Sequence, residues 1–213
     1  MFYSAVNLIY IIPVIFISMA IHEAVHAFTA HALGDSTAKD SGRLTLNPLK
    51  HVDIFTTVLL PVILILIGAQ PIFAAKPVPF DPDRVKHDEF GVALVGVAGP
   101  LSNLVLAAIG AVFLRFIQMP HDVTLFFLFF TVINVEFFVF NMIPIPPLDG
   151  SRLLYAFAPV PLQKVMARIE GMGFMVILVI LILLIPVISP TLVYLTNHVL
   201  SLLLGPTYGL YLT

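Results

Sequence analysis

His22, Glu23 and His26 stand in the order His-Glu-x-x-His, with Ala24 and Val25 between them. On a helix, residues i and i+4 share a face, so both imidazoles can reach one metal ion. Glu23 lies one residue on, within reach of a water on that ion without being a ligand. Zinc lowers the pKa of such a water toward ~7, and a carboxylate can take its proton. This is the chemistry of metal-assisted hydrolysis. Shuffling a chain with 7 His and 4 Glu in 213 residues produces the pattern roughly 0.004 times, so accident is a poor account of it.

Two histidines leave tetrahedral zinc in need of a third protein ligand and an open position. The chain has no Cys, which excludes thiolates and disulfides and leaves His, Asp and Glu. The candidates in or beside apolar runs are His31, Asp53, Glu136 and Asp149. His31 lies about 140° around the helix from His26 and reads as an interface residue. Glu136 sits mid-span, as a rival ligand or a helix contact. Asp149 has the stronger case. It lies in the run from Asn141 to Gly150, where Pro144, Pro146 and Pro147 prevent regular helix and Gly150 permits a tight turn. Broken backbone at membrane depth lines functional cavities.

The elements that must carry these residues follow from composition. The chain is 60% hydrophobic and 10% charged, with a mean hydropathy of +1.06. That excludes a disordered chain and an ordinary soluble enzyme, and predicts an all-α polytopic membrane protein, one domain over residues 1–213. At ~20 residues per span, five or six transmembrane helices fit. The net charge of −2 gives no support to nucleic-acid binding; the expected surroundings are a lipid bilayer. No signal peptide is evident at the N-terminus. Apolar runs cover residues 5–33, 54–68, 91–117, 123–142, 172–188 and 191–204.

Basic residues orient these runs. Lys39, Arg43 and Lys50 lie in one polar stretch, Lys76, Arg84 and Lys86 in a second, and Arg152, Lys164 and Arg168 in a third. Arg115 stands alone beside the turn at 118–122. If every run crosses, the ten divide 4 against 6; if 54–68 enters and returns, they divide 9 against 1. That run is also shorter than the ~17–25 residues of a spanning helix. We therefore expect a re-entrant segment at 54–69, five full crossings, an outside N-terminus and the three polar stretches in the cytoplasm. This topology brings His22, His26 and Asp149 to one side; six crossings would part them.

These residues resemble the site-2 protease family, the intramembrane zinc metalloproteases. The first match is His22-Glu23-x-x-His26. The second is Asn141-x-x-Pro144-x-Pro146-x-Leu148-Asp149-Gly150, similar to the family's N-x-x-P-x-x-x-L-D-G. The third is Gly99-Pro100-Leu101-Ser102-Asn103. Residues 42–53 and Ala75-Lys76-Pro77-Val78-Pro79 look like a compact subgroup without PDZ or CBS domains. That subgroup commonly continues with Pro-x-Gly-Thr where this sequence reads Ile54-Phe55-Thr56-Thr57. The resemblance covers residues 20–152; the expected catalytic core is about 1–152, with additional transmembrane helices over about 171–205. It implies one zinc held by His22, His26 and Asp149, with Glu23 as general base. It further implies a transmembrane helix of another protein as substrate, cut near the cytoplasmic side in regulated intramembrane proteolysis. A bacterial or archaeal plasma membrane is the expected location. The rival readings are an inactive helix-binding scaffold, against which intact Glu23 speaks, and a metal-binding membrane transporter, against which the lack of paired repeats speaks.

Cleavage inside a span requires the substrate to be locally extended, because a helix hides its peptide bonds and lipid offers no replacement hydrogen bonds. Arg43-Leu44-Thr45-Leu46 alternates in polarity and meets the turn signal Asn47-Pro48. It is expected as part of a membrane-associated β-hairpin that clamps the substrate by strand addition. Asn103 and Asn141 are the amides closest in sequence to the broken-helix motifs. Each is expected either to donate to the oxyanion or hold the substrate backbone, or to make a helix–helix hydrogen bond.

Overall fold

A computed structural model describes residues 7–51 and 77–205. Helix α1 covers Leu8–Ala32, α2 Thr37–Asp40, α3 Asp88–Phe116, α4 His121–Asn141, α5 Gly150–Phe157, α6 Val160–Glu170 and α7 Phe174–Leu204. Among the described residues, four stretches are long and apolar enough to cross a membrane: α1, α3, α4 and residues Ile182–Leu204 of α7. At 1.5 Å per residue, the 25 residues of α1 reach about 37 Å, against the ~30 Å of a bilayer's hydrocarbon. The regular structure among the described residues is all helical, and the chain is an integral membrane protein.

Helix α3 lies at the centre. It takes α1 on one side and α4 on another, and α5 seats against it near the site. Ile11, Val14, Ile15 and Met19 of α1 pack with Phe129, Phe130 and Ile133 of α4. Ala107, Ala111 and Leu114 of α3 pack with Val135 and Val139 of α4 and with Leu200 and Leu204 of α7. Small residues set the spacing: a Cβ at Gly110 would collide with the Thr131 hydroxyl, so α3 and α4 approach as closely as glycine allows.

The C-terminus of α1 is closed by backbone. Gly34, at φ 106°, donates to His31 O, and Asp35 N donates to Ala30 O, both at 3.0 Å. This left-handed glycine cap satisfies two carbonyls that the helix end would leave orphaned. It also turns Asp35 inward, where it is fully buried. Its Oδ1 accepts from Thr37 N (2.9 Å) and the Thr37 hydroxyl, and its Oδ2 accepts from Asp81 N (2.8 Å). One carboxylate thus ties the end of α1 to the segment from Pro77 to Asp81.

Two expectations are corrected. The runs 172–188 and 191–204 do not form separate crossings; they are one helix, α7, that runs through Pro186 and Pro190. Each proline removes a single i→i−4 bond, whereas ending the helix in hydrocarbon would strand several backbone groups. The count among the described residues is therefore four candidate spans. The second correction concerns Arg43–Leu46, which forms no strand. Thr45 N donates to Arg43 O (3.0 Å), and Thr45 O is bonded by His51 Nε2 (2.9 Å). Both backbone groups that an edge strand would present are engaged locally. The expected re-entrant segment 54–69 and Asp53 lie outside the described residues.

Burial would raise the Asp35 carboxyl pKa. The Thr37 hydroxyl, the amides of Asp81 and Thr37, and the Arg84 charge outweigh it and hold the group below its ordinary value. A depressed acid contributes stability above its unfolded pKa of ~3.9 and loses it as pH falls through the folded value. Asp35→Ala should lower stability by ~1–3 kcal/mol at neutral pH by stranding buried donors. Thermal unfolding in detergent should show the gap between variant and wild type closing below about pH 4.

Candidate metal centre

The i, i+4 spacing works as the helix geometry requires. His22 and His26 lie on the face of α1 that meets α3, with Nε2 atoms 3.0 Å apart. Asp149 Oδ2 lies 3.1 Å from His22 Nε2 and 3.3 Å from His26 Nε2. Among the described residues these three form the group able to hold a metal ion. His31 and Glu136 do not join it. His22 is ten residues before the end of α1, about 15 Å along the axis, so the site lies well inside a helix of membrane-crossing length.

The tautomers can be read from the second layer of bonds. His26 Nδ1 lies 2.7 Å from Val95 O; a carbonyl only accepts, so Nδ1 carries the proton and Nε2 its lone pair. His22 Nδ1 lies 2.6 Å from Asn103 Oδ1. The orientation of that amide is fixed by a chain: Asn103 Nδ2 donates to Asn134 Oδ1 (2.8 Å), and Asn134 Nδ2 donates to Phe130 O and Ser18 Oγ (2.8 and 2.9 Å). Phe130 O can only accept, so it sets Asn134, which sets Asn103, which places the proton of His22 on Nδ1. Ser18, Asn103 and Asn134 are fully buried.

Two imidazole lone pairs and a carboxylate therefore converge within 3.3 Å. Without a cation they repel. Tetrahedral zinc with ligands at ~2.0–2.1 Å would separate them by about 3.3 Å, so the residues fit that ion. The surroundings are shaped to match. A Cβ on Gly99 would overlap the imidazole of His26 and stand 2.7 Å from His22 Nε2; only glycine lets α3 back onto both rings. A Cβ on Gly150 would overlap Met142 O, so the Pro-rich turn can fold back on the end of α4 only there. Asp149 takes the N-cap position of α5 but makes no side-chain cap; its carboxylate faces the imidazoles. A Cβ on Gly96 would lie 2.7 Å from Arg152 Cβ. From that seat Arg152 bonds Glu170 (3.2 Å) and covers the Phe80 ring (5.8 Å). The histidine side chains are 10% and 11% exposed and Asp149 23%, so the site opens past Asp149.

The other expected residues are placed as follows. Asn103 stands behind His22, with its amide oxygen on the ring and its nitrogen on Asn134. Asn141 ends α4 and donates from Nδ2 to Phe137 O (3.0 Å). Leu44 packs with Ala27, Ala38 and Val78, close to Glu23, whose Oε2 accepts from Val78 N (2.9 Å). Sequence reading missed Ser18, Asn134 and the roles of Gly96 and Gly99. The usable signal for the first two was cost, because a polar side chain inside a span needs a partner.

A model of peptidase family M50 matches residues 118–184. The Bacillus subtilis protein named "Putative zinc metalloprotease YwhC" is 37% identical over 184 residues, 81% of this chain and 80% of that protein. The Mycolicibacterium smegmatis protein named "Putative zinc metalloprotease Rip2" is 32% identical over 167 residues, 78% of this chain and 63% of its own length. The Mycobacterium tuberculosis protein of the same name is 28% identical over 170 residues, 77% and 63% respectively. No solved structure matches the chain.

Asn103→Ala should weaken zinc binding by ~10–100-fold, the usual loss when a ligand's hydrogen-bond partner is removed. Competition with a chromogenic chelator, alongside helix content by circular dichroism, would measure it. Unchanged affinity would separate the amide chain from the centre.

Proposed function

Since the chain belongs to peptidase family M50, the site-2 protease family of zinc metalloproteases, we propose that it hydrolyses peptide bonds within transmembrane segments of other membrane proteins. In this reading His22, His26 and Asp149 hold one zinc ion, Glu23 is the general base, and residues 1–152 form the core to which α7 is added. The observation that carries it is the convergence of three ligand atoms within 3.3 Å, with Glu23 adjoining, inside a helix of membrane-crossing length. The site faces the cytoplasm of a bacterial or archaeal plasma membrane, because that orientation keeps nine of ten basic residues inside.

Zinc, when bound, lowers the pKa of an attacking water and polarises the scissile carbonyl. The chain's own residues do the rest. Glu23 takes the proton of the attacking water and returns it to the leaving amine. His22 and His26 are held as Nδ1–H tautomers and need no proton movement of their own. The apolar packing of α1, α3 and α4 excludes bulk water and strengthens every charge interaction in the site. The substrate must be extended, and the clamp is assigned to Arg43–Leu46, whose Leu44 packs beside the segment that touches Glu23. Strand addition there requires Thr45 to exchange its local bonds for the substrate's. Asn141, at the end of α4, is the amide assigned to the substrate backbone; Asn103 is a positioning residue.

The test pairs zinc content with cleavage in detergent-purified protein. Wild type should hold about one zinc per chain, and Asp149→Ala should lose most of it. Glu23→Gln should keep the zinc and lose cleavage by at least about 10³-fold, the upper range for a positioned acid–base group. Zinc undiminished in Asp149→Ala would move the third ligand elsewhere; cleavage by Glu23→Gln would end the general-base assignment.

The clamp has its own test. Thr45→Pro removes a backbone donor from the assigned edge and should reduce cleavage of a transmembrane substrate tenfold or more, with zinc content unchanged. Full cleavage by this variant would refute the clamp.

A further inference from the structure

Glu23 is held from outside its own helix. Its Oε2 accepts from the backbone N–H of Val78 at 2.9 Å. Val78 stands between Pro77 and Pro79, and neither proline carries an N–H. Val78 therefore supplies the single backbone donor of those three residues. Its side chain is buried against Ala27, Ala38 and Leu44, while both flanking prolines are exposed. The segment is also fixed downstream. Phe80 lies under the Arg152 guanidinium, Asp81 N donates to Asp35 Oδ2, and Lys86 N donates to Leu33 O at 2.8 Å.

We infer that the Val78 N–H is a positioning group for peptide hydrolysis: it fixes Oε2 of Glu23 and leaves Oε1 as the oxygen that handles the proton. A glutamate has three rotatable side-chain bonds, and α1 fixes none of them beyond χ1 preferences. A donor on a pinned segment removes that freedom. The prolines make the contact single-valued. If the segment slipped by one residue in either direction, residue 77 or 79 would face the carboxylate with nothing to donate. The buried Val78 side chain and the Asp35 anchor oppose such a slip independently. This inference rests on Glu23 being the base proposed above, and it adds the group that aims it.

The test uses the full chain in detergent and begins without zinc. A peptide covering residues 77–80 carries exchangeable amides only at Val78 and Phe80, because prolines have none. Hydrogen exchange at that peptide should show a protected amide in wild type. Glu23→Ala should speed its exchange at least tenfold, whereas Glu23→Gln, which keeps an acceptor oxygen, should retain most of the protection. Exchange indifferent to Glu23→Ala would overturn the inference, and this arm leaves the segment itself unaltered. The second arm replaces the amide at Val78 with an ester, using the hydroxy-acid analogue of valine, so that the N–H is lost and the side chain kept. The expected result is a fall in kcat of tenfold or more, KM within twofold, and zinc content unchanged. Unchanged kcat, or a rise in KM alone, would overturn the inference. Failure of the base assignment reads differently, as cleavage by Glu23→Gln with the exchange pattern intact.

Discussion

Two imidazole nitrogens, each with its lone pair exposed, face one another 3.0 Å apart inside an apolar span, and a carboxylate oxygen meets them both. In a medium of low dielectric that arrangement repels unless a cation sits between the three atoms. Most of the surrounding structure serves to hold it. Val95 O and the Asn103–Asn134–Ser18 chain keep both ring protons on the far side. Gly99 lets α3 press against the rings, and the Pro-rich turn carries Asp149 back to them. Zinc is the ion for which this donor set and spacing are suited, and family membership agrees.

The same constraint explains why the backbone breaks where it does. Unsatisfied donors are expensive at membrane depth. The turn between α4 and α5 contains Pro144, Pro146 and Pro147, which have no donor to satisfy. Of the remaining amides, Ile143 bonds Phe140 O, Ile145 bonds Ile143 O and Leu148 bonds Ile145 O. Proline at these positions removes the donors that an irregular segment would otherwise leave stranded. Pro77 and Pro79 have the same effect beside Glu23. In both places the chain is non-helical beside the site, and its prolines carry no N–H to leave unpaired.

The convergence of His22, His26 and Asp149 was legible in the sequence because its signals are local. His22, Glu23 and His26 are fixed by helical periodicity, and Asp149 by the turn chemistry around it. The charge count brought both to one side before any coordinates, and the described residues place them together. What was not legible depends on contacts across helices. Asn103 read as either a substrate amide or a helix–helix contact, and only the structure supplies its partners, His22 of α1 and Asn134 of α4, which are of the second kind. Gly99 read as part of a motif, and its reason, two imidazoles pressed against its missing side chain, exists only in three dimensions. The merging of two apolar runs into α7 was hidden by Pro186 and Pro190, which end helices in water more readily than in lipid. The strand expected at Arg43–Leu46 failed because alternation of polarity says nothing of His51, whose ring takes the Thr45 carbonyl.

The three candidate ligands are not held alike, and the difference has a direction. His22 and His26 belong to a long helix, locked from behind by buried partners on α3 and α4. Asp149 belongs to an irregular turn whose orientation depends on α5, and α5 is seated by Arg152 over Gly96, Glu170 and Phe80. Phe80 lies two residues from the amide that holds Glu23. Asp149 and Glu23 are therefore supported by one mechanical unit on the open side of the site, while the two histidines are supported by the core. Displacement of α5 or of the segment from Pro77 to Asp81 bears on Asp149 and Glu23 together, because Arg152 of α5 covers Phe80 and Val78 holds Glu23.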